Sequence, residues 1–151
     1  MQKVEKDTEN SGADNVHTLT IGELLSEVMP GFMEIMSVPM NGKLAYNVGK
    51  NWRCVQEVQR FVHDRNMEEM KKHVKLDSNG KVVMSEAVPG QRSAPLYLSE
   101  ESKKAYFDWY KKFSEEEEVS LEFYPVSQEE LAYVQNVKPA TITSLSFMFH
   151  E

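Results

Sequence analysis

The chain has 151 residues, a formal net charge of -7, nine methionines and a single cysteine, Cys54. That length fits one domain with a real core, and the acidic balance argues against gripping phosphate backbones, so no nucleic-acid partner is expected. One cysteine excludes an intramolecular disulfide, no apolar run approaches the roughly 20 residues of a membrane span, and the N-terminus lacks a secretory h-region, so neither secretion nor membrane insertion is expected.

Residues 1–17 are polar and acidic, too poor in apolar side chains to offset the entropy of ordering, and are expected to form a disordered tail before a single domain over residues 18–151. The domain opens on Leu19-Thr20-Ile21-Gly22-Glu23-Leu24, where Thr20 can cap a helix, Glu23 can reach back to the cap amide and Leu19 can staple to Leu24. This helix runs through Leu25 and Val28 to Pro30-Gly31, where the missing amide predicts a kink or a stop. Phe32, Ile35 and Met36 continue its apolar face before Val38-Pro39.

After the Asn41-Gly42 turn comes the longest element, a predicted amphipathic helix over residues 44–74. Leu44, Val48, Trp52, Val55, Val58 and Val62 follow one another at three- and four-residue steps and define a buried stripe, expected to pack on Leu24, Val28, Tyr106, Trp109 and Phe113. Past Val62 the stripe thins; the helix either continues, to roughly 45 Å in all, or breaks near Asp64 to Asn66. The short loop before it predicts an antiparallel pairing of the first two helices. Asp77-Ser78-Asn79-Gly80 is turn chemistry leading into a short strand at Lys81-Val82-Val83-Met84, and residues 85–95 read as a loop.

Ser99 caps a third helix with Tyr106, Trp109, Tyr110 and Phe113 on its buried side. Beyond the acidic run Glu115 to Glu118, alternation places Val119, Leu121 and Phe123 inward on a strand, for which residues 81–84 are the expected partner. Ser127 to Glu130 is a capping box opening a short helix, and Pro139 opens the last apolar segment, containing Ile142, Leu145, Phe147, Met148 and Phe149. The fold class is therefore mainly α with a small β element (α+β): an antiparallel helical hairpin or bundle around the long helix, a two-stranded antiparallel pair and short C-terminal helices.

Standard catalytic signatures are absent: there is no phosphate-binding glycine loop, nucleophile elbow or H-E-x-x-H pair. His63 and His73 lie about 15 Å apart along a helix and cannot share a metal. Glu69 and His73, at i and i+4, make half a site at most; Asp64, Glu68 and Glu69 with Glu115 to Glu118 could gather around a divalent cation, but Arg60 and Lys72 sit four residues from Asp64 and Glu68, which suits surface ion pairs instead. No metal or cofactor is assigned. Cys54 has no base beside it in sequence and reads as a small buried hydrophobe. Met29, Met33, Met36 and Met40 form a methionine-rich strip that serves either as a protein docking surface or as plastic core.

The order of segments resembles that of small uncharacterised bacteriophage proteins. The matching pieces are Val38-Pro39 and residues 44–66, 102–118, 121–131 and 138–149. The resemblance implies a viral, non-enzymatic setting, in the cytoplasm of an infected host or in the virion, and carries no site residues. The reading that follows is a non-catalytic protein-interaction factor acting in particle assembly or on a host protein, with self-association as a further option. Its alternative is an enzyme or a binder of a small ligand or cation in an acidic cleft, and a third option is nucleic-acid mimicry by an acidic face.

Overall fold

The structure, a computed structural model, describes residues 15–132 and 134–150. The chain is α+β, with one long helix, two small two-stranded sheets and short C-terminal helices. Of the expected tail, residues 1–14 lie outside the described residues. Asn15, Val16 and His17 do not belong to a tail at all, because they open strand β1 (Asn15–Thr20).

Strand β1 pairs antiparallel with β2 (Glu118–Phe123), from Asn15 opposite Phe123 to Thr20 opposite Glu118. The expected partner, residues 81–84, is displaced because β1 runs straight into the first helix and sets Leu19, Val119 and Leu121 together in the core. The ladder continues one step into that helix, Ile21 N donating to Glu117 O at 3.1 Å. Helix α1 (residues 21–35) is continuous through Pro30. Thr20 Oγ1 caps it by accepting from Glu23 N at 3.1 Å. The proline causes no stop, because the turn over Leu24–Val28 widens to π geometry, with Met29 N bonded to Leu24 O, and a π bulge accommodates a missing amide within one helix.

Asn41 caps α2 (Gly42–Met70), accepting from Leu44 N at 2.8 Å. The helix continues past Asp64 and ends at Met70, four residues short of Val74. Its buried positions are Leu44, Val48, Asn51, Val55 and Val62, with Val58 and Trp52 half-buried against the same core. The stripe therefore runs 44-48-51-55-58-62, and Trp52 stands on its shoulder, its ring 5.7 Å from that of Phe32. Leu24, Val28, Trp109 and Phe113 belong to this core as expected, whereas Tyr106 is buried apart from it, donating to Asn66 Oδ1 beyond the stripe.

Beyond α2, three short extended segments close on one another. Leu76 faces Val82, Met84 faces Pro95 and Val74 faces Tyr97 in antiparallel bridges. Val83 N donates to Lys75 O (2.9 Å), Leu96 N to Val83 O (3.0 Å) and Lys75 N to Leu96 O (2.8 Å), a closed ring of main-chain bonds. Residues 81–84 thus pair within this knob, and residues 94–98, of which only Ala94 and Pro95 belong to the expected loop, supply its third side. Gly80, at φ 79, makes the first turn, stabilised by Asp77 Oδ1 accepting from Asn79 N and Lys81 N.

Ser99 caps α3 (Glu100–Glu116), which returns the chain to β2. Ser127 likewise accepts from Glu130 N at 3.3 Å at the start of α4 (Gln128–Leu131), but the Glu130 carboxylate completes no box and pairs with Lys43 at 3.3 Å. The closing segment forms α5 (Pro139–Ser144) and then β4 (Phe149–His150), parallel to β3 (Val126–Ser127). Helix α5 packs tightly on α1: a Cβ on buried Gly31 would meet Leu145 at 3.2 Å.

Glu34 fastens that contact. Its carboxylate accepts from Thr141 Oγ1 (2.6 Å) and Lys138 N (3.2 Å) at the uncapped start of α5. The Thr141 bond, chiefly, holds its pKa below the ordinary 4.5. A depressed folded value means that ionised Glu34 stabilises the fold above the ordinary carboxylate pKa and that this contribution vanishes as pH falls through the folded value. Thermal unfolding of Glu34→Gln is expected to show a lower midpoint than the wild type at neutral pH, and the gap is expected to close as the buffer is taken below pH 4.5.

Candidate functional site

The four methionines do not share one face. Met29 and Met40 pack half-buried against the core, whereas Met33 and Met36 are 65% and 44% exposed. Met36 and Met40 still edge a small apolar hollow of about 190 Å³ over Val48. Helix α1 ends at Ile35, so Met36 and Met40 lie off its helical repeat.

The ionisable groups on the far half of α2 satisfy one another. Glu69 accepts from His73 Nε2 at 3.0 Å and from Lys72 Nζ at 3.2 Å, and the His73 bond is the main cause of its lowered pKa. Lys72 thus reaches Glu69 in place of the expected Glu68, whose neighbour is Arg65 at 3.9 Å. Among the described residues no three histidine, cysteine, aspartate or glutamate side chains converge as metal ligands. No helix among them is long and apolar enough to cross a membrane.

Two hollows carry charged walls. The first, about 450 Å³, lies between α1 and the C-terminal segment and is edged by Glu23, Glu27 and His17, whose ring stacks on Phe147 at 4.5 Å. Thr143 and Ser144 in its wall donate back to the carbonyls of Pro139 (3.1 Å) and Ala140 (2.9 Å). Among the described residues no hydroxyl or thiol is hydrogen-bonded to His17.

The second is a groove between the shoulder of α2 and the outer face of the β1–β2 sheet. Strand alternation turns Val16, Thr18, Glu118, Ser120 and Glu122 to this face, because their neighbours in register point into the core. The helix presents Cys54, Glu57, Val58 and Phe61 along the other wall. The result is two adjoining hollows of about 380 and 260 Å³ sharing Glu57, Val58 and Ser120. Its apolar surface is open to solvent, with Phe61 50% and Val16 61% exposed.

Its electrostatics are acidic. Burial is the main reason why the Cys54 thiol is pushed up from its ordinary value, followed by the charges of Glu57 and Glu122, against which Lys50 acts more weakly. Arg53 and Arg60 lie one turn either side of Glu57 but form no ion pair with it and do not line the groove. From Cys54 to Phe61 the floor extends about 10 Å, room for two turns of a helix or three residues of a strand. Sequence reasoning missed this groove because it depends on the β1–β2 pairing. The alternation of Val16, Thr18 and Thr20 with His17 and Leu19 was its one local signal.

Compared with protein families, curated proteins and solved structures, the chain matches none.

Because burial and carboxylates both disfavour its thiolate, Cys54 is expected to be alkylated by iodoacetamide more slowly than a free thiol at mildly alkaline pH. Glu57→Gln with Glu122→Gln is expected to speed that reaction about two- to threefold. Rates followed by intact mass would check this; equal rates in the two proteins would remove the acidic field from the groove.

Proposed function

We propose that this protein is a non-catalytic protein-interaction module whose docking site is the groove along α2, and that the groove takes a basic, apolar segment of a protein partner. The observation that carries this reading is an exposed aromatic, Phe61, set in an apolar floor between Glu57 and Glu118. Aromatic and aliphatic side chains provide the desolvated centre of an interface, and a rim of one charge sign selects a partner of the other and speeds encounter. The methionine edge at Met33 and Met36 is a second, smaller apolar surface on the same protein, suited to adaptable contact. The bacteriophage setting rests on the resemblance in segment order alone, and a role in particle assembly or on a host protein is part of the proposal.

Cys54 reports directly on occupancy, since it lines the groove and is the single cysteine of the chain. A synthetic amphipathic peptide alternating leucine and lysine is expected to slow alkylation of Cys54 in a saturable way. A peptide of the same leucine pattern with glutamate in place of lysine is expected to leave the rate unchanged. Protection that is absent with the basic peptide, or equal with both, would overturn the reading.

A further inference from the structure

The knob at residues 74–98 is the electrostatic opposite of the groove. Although the whole chain carries -7, Lys75, Lys81 and Arg92 outnumber Asp77 and Glu86 over this stretch, and Lys71 and Lys72 come just before it. Lys72 is engaged by Glu69, but Lys75, Lys81 and Arg92 form no ion pair among the described residues. The same surface is unusually apolar: Leu76, Met84, Val88 and Leu98 are exposed, and Phe107 beside Tyr97 is exposed as well. Exposed apolar side chains ringed by charge mark an interaction surface.

We infer that the groove is occupied by the knob of a second copy of this chain. The inference rests on the groove being a docking site, and it names the occupant. Three observations select a second copy. The knob has the composition that the groove calls for, apolar side chains flanked by cations. It is a closed three-sided projection held by its own main-chain bonds, so it presents those side chains without ordering a flexible segment on binding. And the first 14 residues, the nearest other stretch of this chain to Val16, carry Glu5, Asp7, Glu9 and Asp14 against Lys3 and Lys6, a balance that the carboxylates of the groove repel.

Knob and groove lie on different parts of the molecule: the groove follows residues 54–61 of α2, and the knob begins after its C-terminal end. A contact between them is heterologous, so each pair of copies keeps one free knob and one free groove, and association continues head to tail into a ring or a filament. Both partners are charged and exposed, so the contact weakens with salt.

Sedimentation of the full chain tests this. The wild type is expected to form species larger than a dimer as concentration rises at about 0.1 M salt, and to dissociate at about 1 M, where the Debye length shrinks from about 10 Å to about 3 Å. A knob variant (Lys75→Glu, Lys81→Glu, Arg92→Glu) and a groove variant (Glu57→Lys, Glu118→Lys, Glu122→Lys) are each expected to stay monomeric alone. The knob variant keeps a native groove and the groove variant a native knob, but the reversed knob and reversed groove are again opposite in charge. An equimolar mixture is therefore expected to associate through at least the native pair. In the unmutated protein, where every copy supplies both a groove and a knob, Cys54 alkylation is expected to slow about fourfold once concentration exceeds the dissociation constant tenfold, a readout independent of whether the variants fold. A wild type that is monomeric at every concentration, or associates without protecting Cys54, overturns the inference. If the basic peptide still protects Cys54 in that monomer, the groove remains a docking site for another protein; if it does not, both readings fall.

Discussion

Asn51 sits in the middle of the long helix at 1% exposure and makes the bonds that a neighbouring β-strand would make. Its Nδ2 donates to Tyr124 O at 2.9 Å, and its Oδ1 accepts from Tyr124 N at 2.6 Å. The same Nδ2 lies 3.4 Å from Met148 Sδ in the C-terminal segment. Tyr124 is where β2 ends and the chain turns toward β3, so its main-chain groups have lost their sheet partner just as they become enclosed. A buried backbone group left unpaired costs about 1–3 kcal/mol, and one side-chain amide satisfies both. Lys50, with its ammonium 3.8 Å from the centre of the Tyr124 ring, closes the same point from outside.

That bond sets the position of the sheet along the helix. With Tyr124 fixed at Asn51, β2 runs back along α2 so that Ser120 and Glu122 meet Cys54 and Glu57, and Glu118 meets Phe61. A slip of one residue would turn Val119 and Leu121 outward and empty the core of the side chains that now face Leu19 and Val55. The groove is thus a consequence of register, and its acidity follows because the solvent-facing positions of β2 are Glu118, Ser120 and Glu122. The knob is set apart from that register by the length of α2 remaining after Phe61. One protein therefore carries an acidic hollow and a basic projection whose spacing is determined by a single helix.

Helix starts are the part of this fold that short stretches of sequence carry. Thr20, Ser99 and Ser127 each hold the amide that a capping residue should hold, and Asn41, expected as a turn residue, proves to be a cap as well. These signals need only three or four residues of sequence. The strand pairing of residues 15–20 with 118–123 joins segments a hundred residues apart, and β1 is masked by its own composition, since NVHTLT contains only two strongly apolar residues. Asn51 was hidden for a different reason. The 4-3-4-3-4 spacing of Leu44, Val48, Asn51, Val55, Val58 and Val62 includes it, but a polar residue does not count toward an apolar stripe, and the adjacent Trp52 supplies an apolar side chain at nearly the same angle. The knob escaped notice because none of its three segments is long enough to announce itself as a strand. The groove depends on the first two of these features, which is why the methionine strip was the most visible candidate surface in sequence and the groove was not.

Native-state hydrogen exchange at the backbone amide of Tyr124 tests the account at its central point. If Asn51 holds that amide as part of the core, it exchanges only when the whole domain unfolds, slowed by at least about 10⁴-fold, the equivalent of roughly 5 kcal/mol. Exchange as fast as that of the exposed amides of residues 86–93 would contradict it, because the register of the sheet on the helix would then have no anchor.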